Sequence, residues 1–97
     1  MVVGILKIAL EVPESRSLKD KRAVIRSLKA RIESRFKLSV AEVGNLDILQ
    51  SGVLAVTCVS NDSRHADEVL AHVADFAIAN PGDGSVASYE TEILHLD

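Results

Sequence analysis

The sequence predicts an α+β domain built in the order strand, helix, strand, strand, helix, strand. Two stretches repeat apolar residues at helical spacing, and four runs rich in β-forming residues surround them. A chain of 97 residues can bury one core made of two layers and is too short for a second, so residues 1–97 are read as a single domain.

The first run, residues 2–12, alternates Leu6, Ile8, Leu10 and Val12 against Ile5, Lys7, Ala9 and Glu11, the period-two pattern of a strand. Pro13 stops it. Ser17 is a natural N-cap, and Asp20 three residues later stands where a capping box places its acid. Leu18, Ile25, Leu28, Ile32 and Phe36 then recur near helical spacing, which carries the first helix to about Arg35. Residues 38–44 read as a short strand closed by the turn signal Gly44-Asn45. Residues 47–52 are compatible with a loop or with the start of the next strand, which is clear over residues 53–60. Asn61, Asp62 and Ser63 are successive N-cap candidates, and Ala66, Val69, Leu70, Val73, Phe76 and Ala77 form the apolar stripe of the second helix. Asn80-Pro81-Gly82-Asp83-Gly84 ends that helix, and a last strand covers about residues 86–96.

This order is that of the ferredoxin-like βαββαβ sandwich, a four-stranded antiparallel sheet with two helices on one face. The first and third strands are expected as parallel central neighbours. On that reading the loops leaving them share one edge, with residues 16–22 beside residues 61–64. Both strands are apolar on both faces, with Val3, Ile5 and Ala9 opposing Leu6, Ile8 and Leu10, and Val53, Ala55 and Val59 opposing Leu54 and Val56. Helices cover one face only, so the other is expected to be aliphatic and to mark an interaction surface, most economically between copies of the chain.

Aromatic residues are 3% of the chain, which disfavours sites built on base stacking. No apolar run reaches the roughly 18 residues of a membrane helix, and residues 1–6 lack the basic region and cleavage site of an export signal. The expected compartment is the cytoplasm, with no membrane partner. Cys58 is the only cysteine and lies in an apolar run, where it is read as a buried structural thiol. His65 and His72 are seven residues apart and His95 is on another element, so neither a metal nor a cofactor is expected. The chain contains no phosphate-binding glycine loop, no dinucleotide turn and no hydrolase or zinc-protease signature, and so no local sign of catalysis.

The net charge of −3 conceals a split: residues 1–50 carry ten basic and six acidic side chains, a net of +4, and residues 51–97 carry one basic and eight acidic, a net of −7. On the first helix Lys19, Arg22, Arg26 and Lys29 share a stripe beside the apolar face, interrupted by Glu33, with Arg31 and Arg35 on the other flank. Such a row can follow phosphates. Adjacent helix N-termini at one edge would add an anion site reinforced by Arg16, Lys19, Arg22 and Arg64. Lys21 projects into the apolar arc, so it either snorkels around the end of the helix or is held by a partner, for which Asp62 is the expected acid in a tie between the two helix starts.

The block Ser17-Leu18-Lys19-Asp20-Lys21-Arg22, then residues 35–43, Arg35-Phe36-Lys37-Leu38-Ser39-Val40-Ala41-Glu42-Val43, then Val59-Ser60-Asn61-Asp62, resembles the YlxP-like family of small bacterial proteins of unknown function. The likeness spans nearly the whole chain, with Asp20 where glutamate is commoner. It implies a ferredoxin-like domain and a gene neighbourhood of transcription, translation-initiation and ribosome-maturation functions, and it supplies no catalytic residues. The resulting expectation is a non-catalytic factor associated with RNA or the ribosome through the basic face of the first helix. The alternative is a homo-oligomeric interaction or regulatory module without nucleic-acid binding.

Overall fold

Alternation along the first strand makes one side of the sheet a core. In the computed structural model, which describes residues 1–97, β1 (Val2–Glu11) turns Leu6, Ile8 and Leu10 inward and leaves Lys7 and Glu11 in solvent. The chain continues through α1 (Leu18–Phe36), β2 (Ser39–Gly44), β3 (Ser51–Ser60), α2 (Ser63–Ala79) and β4 (Ser85–His95), the ferredoxin-like order expected from the sequence. Residues 45–50 are the β2–β3 loop, and Ser51 and Gly52 already belong to β3.

Leu54, Val56 and Cys58 of β3 and Val40 of β2 face the same way as Leu6 and Ile8. Ile25, Leu28 and Ile32 of α1 and Ala66, Leu70, Val73 and Ala77 of α2 close over them. Complete burial of one such large aliphatic side chain stabilises by about 1.5–3 kcal/mol. Gly4 lets α2 approach the sheet, because a Cβ there would lie 2.7 Å from Leu70 Cδ1. Ser17 caps α1 by accepting the Asp20 N–H at 3.1 Å, and the Asp20 carboxylate accepts the Arg16 N–H at 3.4 Å, one residue upstream of a standard capping box. At the other end Lys37 takes the left-handed conformation (φ 58°) and its N–H bonds the Glu33 carbonyl at 2.9 Å.

The sheet order is β2-β3-β1-β4 and every neighbouring pair is antiparallel. β1 and β3 are the central neighbours, as expected, but they run in opposite directions, not in parallel. The reason lies in the connections. The α1 crossover returns the chain parallel to β1, and the short β2–β3 loop then reverses it into the gap between β1 and β2. Val2 is thereby opposite Ser60 and Glu11 opposite Ser51. The exits of β1 and β3, and with them the N-termini of α1 and α2, lie at opposite ends of a ten-residue ladder, about 30 Å apart. Residues 16–22 are therefore not beside residues 61–64.

What meets the start of α1 is the β2–β3 loop. The Val12 N–H bonds the Gln50 carbonyl at 2.8 Å, and the Gln50 side-chain amide donates to the Ser15 carbonyl at 2.9 Å. Lys21, fully buried, donates from Nζ to the carbonyls of Asn45 at 2.7 Å and Leu46 at 3.1 Å, with Glu42 Oε2 at 3.6 Å. The expected tie between Lys21 and Asp62 does not form, because antiparallel pairing carries Asp62 to the far end, where it caps α2 by accepting the Arg64 N–H at 2.9 Å. Glu42 is delivered to Lys21 by β2, whose register slips between Glu42 and Gly44 so that Val43 is an extra residue.

Two stability measurements check this account. Lys21→Met keeps the bulk of the side chain but strands two carbonyls and the buried Glu42 Oε2, and is expected to cost about 2–4 kcal/mol in urea unfolding; wild-type stability would show that the lysine holds nothing. Gly4→Ala forces Leu70 to move and is expected to cost about 1–3 kcal/mol, where an ordinary exposed strand glycine would tolerate alanine.

Candidate functional site

The basic residues of α1 divide by what they touch. Lys21 belongs to the loop joint. Arg31 donates to the Asn80 carbonyl at the end of α2 and, through Nε, to the Ser27 carbonyl at 3.3 Å. The Arg35 guanidinium lies 5.2 Å from the Phe76 ring centre and 5.9 Å from that of Phe36. These three cations hold the fold together. Lys29 pairs with Glu33 at 3.4 Å one turn on, with both side chains partly exposed.

Lys19, Arg22 and Arg26 remain. All are exposed and none has a carboxylate within 4.0 Å; the chain's ion pairs are Lys7–Glu90, Lys21–Glu42 and Lys29–Glu33. They lie on the flank of α1 away from Arg31 and Arg35, and thus on the side away from α2 and toward the β2 edge. From Lys19 to Lys29 the stripe spans about 15 Å of helix. Asp20 does not neutralise it, since its carboxylate turns back to the Arg16 N–H. Arg16 is exposed in the β1–α1 connection, three residues before Lys19. Arg64 is exposed as well, but at the N-terminus of α2, about 30 Å away along the sheet, and does not join it. The anion site expected from two adjacent helix N-termini is therefore not assembled.

The concavities differ in character from this convex stripe. The largest, about 440 Å³, lies between the β1–α1 connection and the α2–β4 loop, and the ionisable side chains on its wall are all acids: Glu14, Asp20 and Asp83. A field of that sign disfavours anionic ligands. No three His, Cys, Asp or Glu side chains converge as a metal set. Cys58 is buried on the helix side of the sheet, where the sequence places it. Phe36 and Phe76 pack edge to face at 5.6 Å with Arg35 beside both rings, so both are half-buried in helix packing. No helix is long and apolar enough to cross a membrane.

Two parts of this arrangement escape sequence reasoning. The clasp of Arg31 on Asn80 depends on residues 49 apart in the chain. The carbonyl partners of Lys21 are backbone atoms, which carry no residue-type signal. Glu42 could have been found, because it is the one acid in β2 and falls on the inward-facing register with Val40.

Comparison with known proteins places the chain among relatives of undetermined activity. It is 26% identical over 80 residues to the uncharacterized protein YlxP of Bacillus subtilis (strain 168), covering 82% of this chain and 87% of that protein. A solved C-terminal segment of the alpha subunit of aIF2 from Pyrococcus abyssi aligns with a TM-score of 0.48 and 15% identity, over 98% of this chain and 51% of that one. Residues 3–91 match the family described as "Protein of unknown function (DUF503)", and the chain belongs to that family.

Proposed function

We propose that the protein is a non-catalytic cytoplasmic factor that contacts the phosphate backbone of RNA, free or in the ribosome, through Arg16, Lys19, Arg22, Arg26 and Lys29. The observation that carries this reading is the exposed, unpaired row Lys19, Arg22 and Arg26 in a chain whose net charge is −3. Uncompensated cations in an acidic protein form a local field that a polyanion finds and the rest of the surface repels. About 15 Å of helix is long enough to pass several successive phosphates of one strand. With both phenylalanines engaged in packing and Tyr89, half exposed, on β4 at the opposite edge of the sheet, recognition at this row runs through backbone and shape and not through stacked bases.

The competing reading, a homo-oligomeric module that does not bind nucleic acid, draws on the aliphatic face of the sheet. Fluorescence anisotropy with a labelled single-stranded RNA separates the two. Binding is expected to weaken with salt at a log–log slope of about −2 to −3, from three or four phosphate contacts. Arg22→Glu/Arg26→Glu is expected to weaken low-salt binding at least about tenfold, and Arg64→Glu to leave it unchanged. No binding at low salt, or binding indifferent to the double substitution, overturns the proposal.

A further inference from the structure

The side of the sheet away from the helices is uncovered by any part of residues 1–97. Its middle is aliphatic: Val3, Ile5 and Ala9 of β1 lie beside Val53, Ala55 and Val59 of β3. Val59 is 68% exposed and Leu94 37%. Around this field stand Glu11, Ser51, Ser39, Ser88, Glu90 and Glu92. Apolar residues ringed by polar ones are the anatomy of a protein interface. Its one cation, Lys7, leans to Glu90 on the edge strand at 3.6 Å.

We infer that this face is the self-association surface of the protein, and that its occupant is a second copy of the same chain. The first argument is area. With strands about 4.8 Å apart, β1, β3 and β4 each about 33 Å long and the six-residue β2 about 20 Å, the face presents roughly 570 Å² per copy, and two copies together come close to the roughly 1,200 Å² at which stable interfaces begin.

The second argument is charge. A two-fold axis parallel to the strands and midway between β1 and β3 lays β1 over the second copy's β3, and β4 over the second copy's β2. Glu90 and Glu92 then meet Ala41 and Ser39 of the second copy, and no carboxylate faces another. The perpendicular axis would stack β4 on β4 and oppose the glutamates, which is repulsive.

The third is shape. Shallow hollows of about 400 and 270 Å³ flank Lys7 and Glu90 on the β1–β4 half. The same axis turns Val53 of the second copy, which lies at the level of Ala9, toward the larger one, and sets Val3 over Val59. In this arrangement the helices are outermost and the α1 stripe stays in solvent, so the inference does not rest on the RNA reading.

Sedimentation equilibrium of the full chain from about 1 to 100 µM tests it. A dimer with micromolar or tighter affinity is expected. Ala55→Arg and Val59→Lys are each expected to weaken it at least about 100-fold, whereas Ile78→Lys on the outer side of α2 leaves it intact. A wild-type monomer throughout that range overturns the inference, as does a dimer that survives both sheet substitutions. Isotope-filtered Overhauser contacts between Val3 methyls of one copy and Val59 methyls of the other need no substitution; a dimer without them overturns it too.

Discussion

The antiparallel ladder between β1 and β3 is the constraint from which the rest of the molecule follows. Ten paired residues set the exit of β1 against the entry of β3, so the start of α1 shares its end of the sheet with the β2–β3 and α2–β4 loops, while the start of α2 lies at the other end. Lys21 then has one place to go. Its stem lies in the apolar arc with Ile25 and Leu28, and its ammonium reaches two loop carbonyls and Glu42. A lysine with no exposed surface is tolerated because several polar atoms converge on its head. The helix is thereby fixed in rotation, and that rotation decides which cations face solvent.

The same rotation sorts the basic half of the chain by role. Cations on one flank of α1 are drawn into contacts with α2, where Arg31 reaches Asn80 and Arg35 covers Phe76. Of those on the other flank only Lys29 meets an acid, Glu33 of its own helix, because the acidic side chains of residues 51–97 lie on α2, its flanking loops, β4 and the last residue. Charge segregation along the sequence becomes segregation in space because each half supplies one helix. The row proposed to bind RNA lies on α1 and the surface proposed for self-association is the open sheet face, so the two occupy separate sides of the molecule and do not compete.

Much of this was legible in the sequence. Period-two alternation and capping residues placed the elements close to their observed bounds, and the helical projection put Lys21 in the apolar arc while leaving open whether it snorkels out or is held by a partner. The aliphatic residues on both faces of β1 and β3 announced a face that the helices would not cover. Strand direction was read wrongly, and the error had a definite cost. Taking β1 and β3 as parallel brought Asp62 to Lys21 and Arg64 to Arg16, whereas the hairpin through residues 45–50 separates them. The true partners of Lys21 are mostly main-chain oxygens, and no residue type advertises those. The division of α1 cations into engaged and free was also hidden, since it depends on the packing of α2.

The central claim is that the fold reserves one flank of α1 for a polyanion. Amide chemical-shift mapping with a short single-stranded RNA at low salt tests it most directly. The account predicts shifts concentrated at residues 16–29 that fade as salt is added, with the start of α2 and the open sheet face unmoved. Shifts centred on β1 and β3, or none at all at low salt, would contradict it.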